Sequence, residues 1–455
     1  MSAFSTLMTS GSLTMRAVRS AGFAVLAFGG GQALRLISNL ILTRLLFPEA
    51  FGLMALVMVI LQGLAMFSDV GVTPAILQSR RGDDQDFLNT AWTIQVGRGF
   101  LLWVAAAALA TPFAQFYGEP LLAELLPVMA LTLIIAGFNP TRLDTANRHL
   151  QLGRVTALEL TGQVIGVVAA VLLAWAMQSV WALVIANLFA SLSATLLYSF
   201  LLPGRWNRLR WEPAAASELI NFGKWIFLST VAGFFFSQGD KLLIGRYLPL
   251  DAFGVYNIGY FLASFPLILG RMVTNKVLIP IYRERPPGDS PHNFAKLRRM
   301  RTLVTGLLLA MVMTLGYAGV WLVELLYDPR YAMAGAVVVM IACMQVPQIV
   351  GLTYDQAAVA AGDSRRFFYF TAAKAALMVG GLVVGLELGG LPGALVAQGV
   401  AFLLAYPVLV WLARRMKAWD PLHDAAFLLI GAILAAGAIW VNFPAIAALG
   451  AAAAQ

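Results

Sequence analysis

Charge is what this sequence has least of. Only 12% of its 455 residues are Asp, Glu, Lys or Arg, where soluble domains carry about 25%. Together with 60% hydrophobic residues and a mean hydropathy of +0.80, that scarcity excludes a soluble globular protein. Cysteine is nearly absent: Cys343 stands alone, so no intrachain disulfide or cysteine metal cage can form, and its apolar surroundings read as those of a packing thiol. The three histidines, His149, His292 and His423, are far apart in polar stretches that read as solvated loops rather than a ligand set. Also missing are a Gly-x-x-x-x-Gly-Lys-Ser/Thr loop, a His-Glu-x-x-His pair and any polar segment long enough for a nucleotide-binding domain. The chain therefore reads as no enzyme, with no cofactor, no metal and no ATP hydrolysis of its own.

What the sequence does contain is long apolar runs. At about 20 residues per crossing, this length accommodates roughly 13 transmembrane helices. Candidates fall at 21–46, 51–78, 89–115, 121–141, 156–177, 180–203, 219–247, 252–280, 302–326, 333–358, 367–388, 391–413 and 425–442. The first follows Arg16 and Arg19, contains Arg35 and lacks a small-residue cleavage site, so it reads as a retained helix and not a signal peptide. About a dozen residues follow Asn442, too few for another crossing. Either the C-terminus is periplasmic, or 425–455 forms one span plus a surface segment.

Lys+Arg 31 against Asp+Glu 22 leaves a net charge of +9. Its distribution points to topology and anionic headgroups rather than nucleic acid. Alternate loops, from Arg16 and Arg19 through Arg205, Arg208 and Arg210 to Arg414, Arg415 and Lys417, hold twenty-one of the cations. The opposite loops hold Arg330, with Arg44 and Arg246 at helix ends. The N-terminus is thus expected on the cytoplasmic side. The longest loop, 281–301, reads as an anchor on anionic lipid.

An internal repeat organises the spans. Leu42-Thr-Arg-Leu-Leu-Phe-Pro-Glu-Ala-Phe-Gly-Leu-Met54 aligns without a gap to Ile244-Gly-Arg-Tyr-Leu-Pro-Leu-Asp-Ala-Phe-Gly-Val-Tyr256, an offset of 202. Span 1 then matches span 7, and each repeat holds six helices entering the membrane in the same direction, as in alternating-access transporters. The expected fold is an all-α polytopic membrane protein of two six-helix bundles plus a C-terminal helix. Its parts are an N-terminal lobe over 1–203, a cytoplasmic linker over 204–218, a C-terminal lobe over 219–413, and an extra span and tail over 414–455.

Polar residues inside the spans carry the functional signal. Gln32, Arg35, Ser38, Asn39 and Thr43 share one face of span 1. An intramembrane Arg costs roughly 2.5–3.5 kcal/mol on insertion scales, so that face belongs on a wet cavity or a counter-charge. At the repeat offset, span 7 carries Ser237, Asp240, Lys241 and Gly245 on the equivalent face. Span 2 adds Asp69, span 3 Arg98, span 8 Arg271 and span 11 Lys374; the offset pairs Asp69 with Arg271, opposite charges at equivalent sites. Candidates to contact an anionic cargo are Arg35, Asn39, Arg98, Lys241, Arg271 and Lys374. Asp69 and Asp240 are candidates for coupling to a proton or sodium gradient. Plainer roles stay open: Arg271 can anchor an inner helix end, Asp69 can form a structural salt bridge, and Asp240 can neutralise Lys241 or pair with another helix. Gly29-Gly30-Gly31 reads as a site of close helix packing, and the methionines and aromatics as filler.

Leu42-Thr-Arg-Leu-Leu with Phe51-Gly-Leu, Asp69-Val-Gly, and Gly239-Asp-Lys-Leu-Leu-Ile-Gly-Arg246 with Phe253-Gly-Val-Tyr256 carry a specific resemblance. The chain resembles the polysaccharide-transporter branch of the multidrug/oligosaccharidyl-lipid/polysaccharide exporter superfamily, the Wzx-type flippases, over roughly 15–415. The resemblance implies a two-lobed helical transporter in the bacterial cytoplasmic membrane. It would move undecaprenyl-diphosphate-linked oligosaccharide between leaflets for O-antigen, capsule or exopolysaccharide, alongside a polysaccharide polymerase. The cations above would then meet diphosphate or acidic sugars. Related flippases have fourteen spans, the last two grooved for the lipid tail, and this chain falls short of that pattern. Cation-coupled drug antiport on the same fold and a non-transporting assembly scaffold are the alternatives.

Overall fold

The computed structural model describes residues 13–68, 71–149, 151–284, 286–354, 357–358, 361 and 363–452, and among them no strand occurs. The chain divides into two compact units, Met1–Leu46 with Val57–Thr230, and Phe47–Leu56 with Val231–Gln455. The first contains α1 (Leu13–Leu45), most of α2 (Pro48–Phe67), α3 (Val72–Gln78), α4 (Gln85–Tyr117), α5 (Leu122–Met129), α6 (Leu131–Gly137), α7 (Arg142–Arg148), α8 (Leu152–Met177) and α9 (Val180–Leu201). From α10 (Pro213–Tyr247) the chain passes into the second unit. There follow α11 (Leu250–Val273), a π-helical turn (Thr274–Leu278), α12 (Ile279–Glu284), α13 (Pro291–Leu326), α14 (Ala334–Met344), α15 (Val346–Gly351), α16 (Ser364–Arg415), α17 (Pro421–Val441) and α18 (Phe443–Ala452). Among the described residues, eight helices are long and apolar enough to cross a membrane, nine if one bent pair counts as a span. The protein is an all-helical polytopic membrane protein.

Local chemistry explains where the helices depart from the predicted spans. The predicted second span, 51–78, breaks before α3 at Gly71, whose φ of 64° suits a residue without a Cβ. α5 with α6 is bent by 59° from α7 across 138–141, where Pro140 stands. The expected linker is shorter than 204–218, because Pro213 starts α10. The expected basic loop 281–301 is largely helical. Ser290 accepts a hydrogen bond from the Asn293 amide at 3.1 Å and Pro291 follows it, a cap that places Lys296, Arg298, Arg299 and Arg301 on α13. In α16, Gly389 and Gly390 leave helical geometry, Gly390 at φ 55°, so limbs 364–388 and 391–415 fold back on each other with Gly385 and Gly393 in backbone contact.

The repeat is visible in the helix boundaries. α1 ends at Leu45 and α2 starts at Pro48, while α10 ends at Tyr247 and α11 starts at Leu250. Both pairs are separated by the 202 residues of the sequence repeat. Each second helix has an acid in its first turn, Glu49 and Asp251, and each first helix a base in its last, Arg44 and Arg246, the signs that helix dipoles favour. The two second helices also meet: Gly52 packs on the Leu250 carbonyl and Gly254 on that of Pro48.

Three basic residues that fall between the predicted spans are buried. His423 is buried in the first turn of α17, its Nδ1 2.9 Å from Asp424, which also accepts the hydroxyls of Tyr354 and Tyr406 at 2.7 Å each. Arg301 donates to Thr353 (3.1 Å) and Tyr282 (3.0 Å), with its guanidinium over the Tyr354 ring. Arg142 donates to the carbonyls of Leu202 (2.9 Å) and Ser199 (2.8 Å), satisfying the orphan end of α9. Buried charges persist where such partners exist. Asp424→Ala strands two tyrosine hydroxyls, and we expect a loss of about 3 kcal/mol or more. Thermal unfolding in detergent checks this; a midpoint within a degree of the parent would dismiss it.

Candidate functional site

The polar face of α1 lies within the first unit. Arg35 and Ser38 line a cavity of about 250 Å³ together with Gln163 of α8 and Asn187 of α9. α8 ends at Met177, capped by Gln178 at φ 47°, and α9 begins immediately after Ser179, so the two helices run back to back, with Gly166 against Ala190. Gly31 on α1 leaves room for the Gln163 carboxamide, whose oxygen lies 3.0 Å from where a Cβ would stand. The glycine run is thus a packing device that admits a polar side chain. Arg35 is exposed and, among the described residues, has no acidic partner. One turn on, the Asn39 side-chain oxygen is buried without a hydrogen-bond partner. A guanidinium beside two amides can hold an anionic oxygen and neighbouring hydroxyls.

Arg98 has a different task. Its guanidinium donates to Ser68 Oγ at 2.9 Å and to the Ala65 carbonyl, at the C-terminal end of α2, where the helix dipole favours a cation.

The second unit gathers the remaining candidates around aromatic rings. Lys241 donates to Gln238 at 2.9 Å and lies 4.3 Å from the centre of the Tyr260 ring. Lys374 of α16 and Arg271 of α11 share the Phe236 ring, at 4.3 and 5.8 Å, and Lys374 also faces Phe370 at 4.7 Å. Asp240 is buried and accepts the Tyr256 hydroxyl at 2.6 Å, a partner on α11 rather than Lys241. A cavity of about 840 Å³ opens between the two limbs of α16, lined by Leu377, Gly381, Gly385, Gly393 and Ala397, with Ile446 of α18. Its walls are almost wholly apolar. Asp69 lies outside the described residues, and no group of three or more metal-ligating side chains occurs among those described.

The candidates thus divide between the units, Arg35, Asn39 and Arg98 in the first and Asp240, Lys241, Arg271 and Lys374 in the second, and Arg98 is not part of the cavity that Arg35 lines. Sequence reasoning missed Gln163 and Asn187, although each is a polar residue inside a predicted span. It also missed Phe236 and Tyr260, read as filler. The spacing of Phe370 and Lys374, one helical turn, was the available signal.

Residues 41–336 match the family described as "Polysaccharide biosynthesis protein". Over 295 residues the chain is 25% identical to the succinoglycan biosynthesis transport protein ExoT of Rhizobium meliloti (strain 1021), covering 65% of this chain but 59% of that protein. It is 21% identical over 390 residues to the lipopolysaccharide biosynthesis protein WzxC of Escherichia coli (strain K12), covering 83% and 77%. Its fold is similar to that of the lipid II flippase MurJ in an inward closed conformation, with a TM-score of 0.71 at 10% identity over 94% of this chain and 97% of that one. At such identity the likeness concerns the fold.

Proposed function

We propose, since this chain belongs to the polysaccharide biosynthesis protein family, that it is a flippase for polyprenyl-diphosphate-linked oligosaccharide. It would work by alternating access in the cytoplasmic membrane, with the N-terminus on the cytoplasmic side, and would supply units for O-antigen, capsule or exopolysaccharide. The single observation that carries this reading is Arg35, a cation without an acidic partner among the described residues, in a pocket whose other polar groups, those of Ser38, Gln163 and Asn187, are uncharged. An unpaired cation within a spanning helix is sustained where a ligand anion meets it. In the second unit, Arg271 and Lys374 share one ring, and a cavity with apolar walls lies between the limbs of α16; the two features support a cargo with a charged head and a hydrocarbon tail. Asp240, held by Tyr256, is the remaining described candidate for coupling to a proton or sodium gradient.

The test is reconstitution in vesicles with a fluorescent polyprenyl-diphosphate oligosaccharide, following exposure of the sugar to a water-soluble quencher. Protein-dependent redistribution between leaflets is expected. Extrusion of cationic drugs without glycolipid movement would favour antiport, and movement of neither would favour a scaffold.

A further inference from the structure

The connection between α9 and α10 is a fixed strap. The amides of Arg208, Arg210 and Glu212 donate to Asn89 Oδ1 (3.0 Å), Thr93 Oγ1 (3.0 Å) and Thr90 Oγ1 (3.1 Å), side chains on the first turns of α4. Every second amide turns to the helix, the period of an extended strand. Asn207 exchanges two bonds with Thr141, at 3.1 and 2.8 Å. At the far end Arg81 grips Glu212 through two nitrogens, at 2.9 and 2.8 Å, and also Asp84. The guanidinium holds both carboxyls below their ordinary range, so this clamp is ionised at neutral pH.

With its backbone so occupied, the strap presents side chains outward. Trp206, Leu209 and Trp211 are 56%, 71% and 57% exposed. Trp206 is braced from behind, 5.4 Å from the Phe200 ring and 4.6 Å from the Arg142 guanidinium. Arg205 and Arg208 are exposed and have no acidic partner among the described residues; Arg210 pairs with Asp86 at 2.7 Å. An aqueous surface gains nothing from two exposed indoles and a leucine. The strap, however, follows α9, which is long and apolar enough to cross a membrane, and so belongs where bilayer meets water. Indole rings settle at that level, and basic side chains there are drawn to anionic lipid.

We propose that residues 205–211 form a docking surface for anionic phospholipid headgroups. Arg205 and Arg208 meet lipid phosphates, and Leu209 and Trp211 seat at the boundary between headgroups and acyl chains. The rigid backbone sets the height of the first unit in the membrane. This surface is independent of the cavities and of the transported substrate.

The test uses the full chain, with Cys343, its single cysteine, replaced by alanine. Leu209→Cys then carries a nitroxide, and protein is placed in vesicles of phosphatidylcholine alone or with phosphatidylglycerol. The same label at Leu303→Cys, on the exposed flank of α13, is the depth reference. With phosphatidylglycerol, the label at 209 is expected to become shielded from a water-soluble nickel complex and accessible to oxygen. Arg205→Gln with Arg208→Gln should reverse that shift while the signal at 303 stays in place. A label equally open to nickel in both membranes overturns the proposal and marks a surface for a soluble protein. A depth indifferent to lipid charge or to the two arginines overturns it as well, leaving only apolar contact.

Discussion

Gly254→Val is expected to remove nearly all folded protein from the membrane. A Cβ at residue 254 falls on the carbonyl of Pro48, and one at residue 52 falls on the carbonyl of Leu250. The obstacle is backbone in both cases, so no rotamer change relieves it. Moving the helices apart would loosen the edge-on contact of Phe51 with Tyr331, 5.9 Å between centres, and that of Arg330 with the Phe47 ring, 5.0 Å. Overpacking a well-filled core costs about 1–3 kcal/mol when side chains can adjust. Here they cannot, and total stability is only about 5–15 kcal/mol. The yield of monodisperse protein after detergent extraction measures the outcome. Gly97→Val is the contrast, because no atom lies within 4 Å of its added Cβ and its yield should be near normal. Equal recovery of the two variants would mean that the starts of α2 and α11 do not pack as described.

Arg35→Gln should spare the fold and slow glycolipid movement. Arg35 has no acidic partner among the described residues, so its loss strands no buried acid. A charge-assisted contact to a phosphate oxygen contributes about 2–3 kcal/mol, equivalent to roughly thirtyfold to a hundredfold in affinity. Arg35→Lys should recover part of the rate, since it keeps the charge and loses the two-pronged geometry. The readout is the initial rate of leaflet exchange at limiting substrate, normalised to protein in the vesicle. A rate within twofold of the parent would remove Arg35 from the substrate path. Such a result would leave the cations around Phe236 as the anion contacts to examine next.

Much of the architecture is legible in the sequence. Apolar runs mark the helices, and the Ala-Phe-Gly repeat falls on helix starts separated by the same 202 residues. Hydropathy averages over a window, and so could not see single-residue events such as the left-handed Gly71 or the break at Gly389–Gly390. The burial of Arg142, Arg301 and His423 was not legible for a related reason. They stand in polar stretches, and only tertiary contacts with helix-end carbonyls, tyrosines and Asp424 make their burial tolerable. At the site, the face carrying Arg35 was readable from spacing within one helix. Its partners Gln163 and Asn187 come from two other helices, and Phe236 serves Arg271 and Lys374 from a third. No periodicity along one segment encodes which ring another segment's cation will meet.

The paired glycines also bear on origin. If the 202-residue repeat arose by duplication, Gly52 and Gly254 descend from one ancestral position, and in a homodimeric ancestor that residue met its own twin across a two-fold axis. A position on such an axis has to be complementary to itself, so any side chain added there is added twice and collides with its copy. Glycine escapes that constraint, which gives a reason for both descendants to retain it after their neighbours Leu53 and Val255 had diverged.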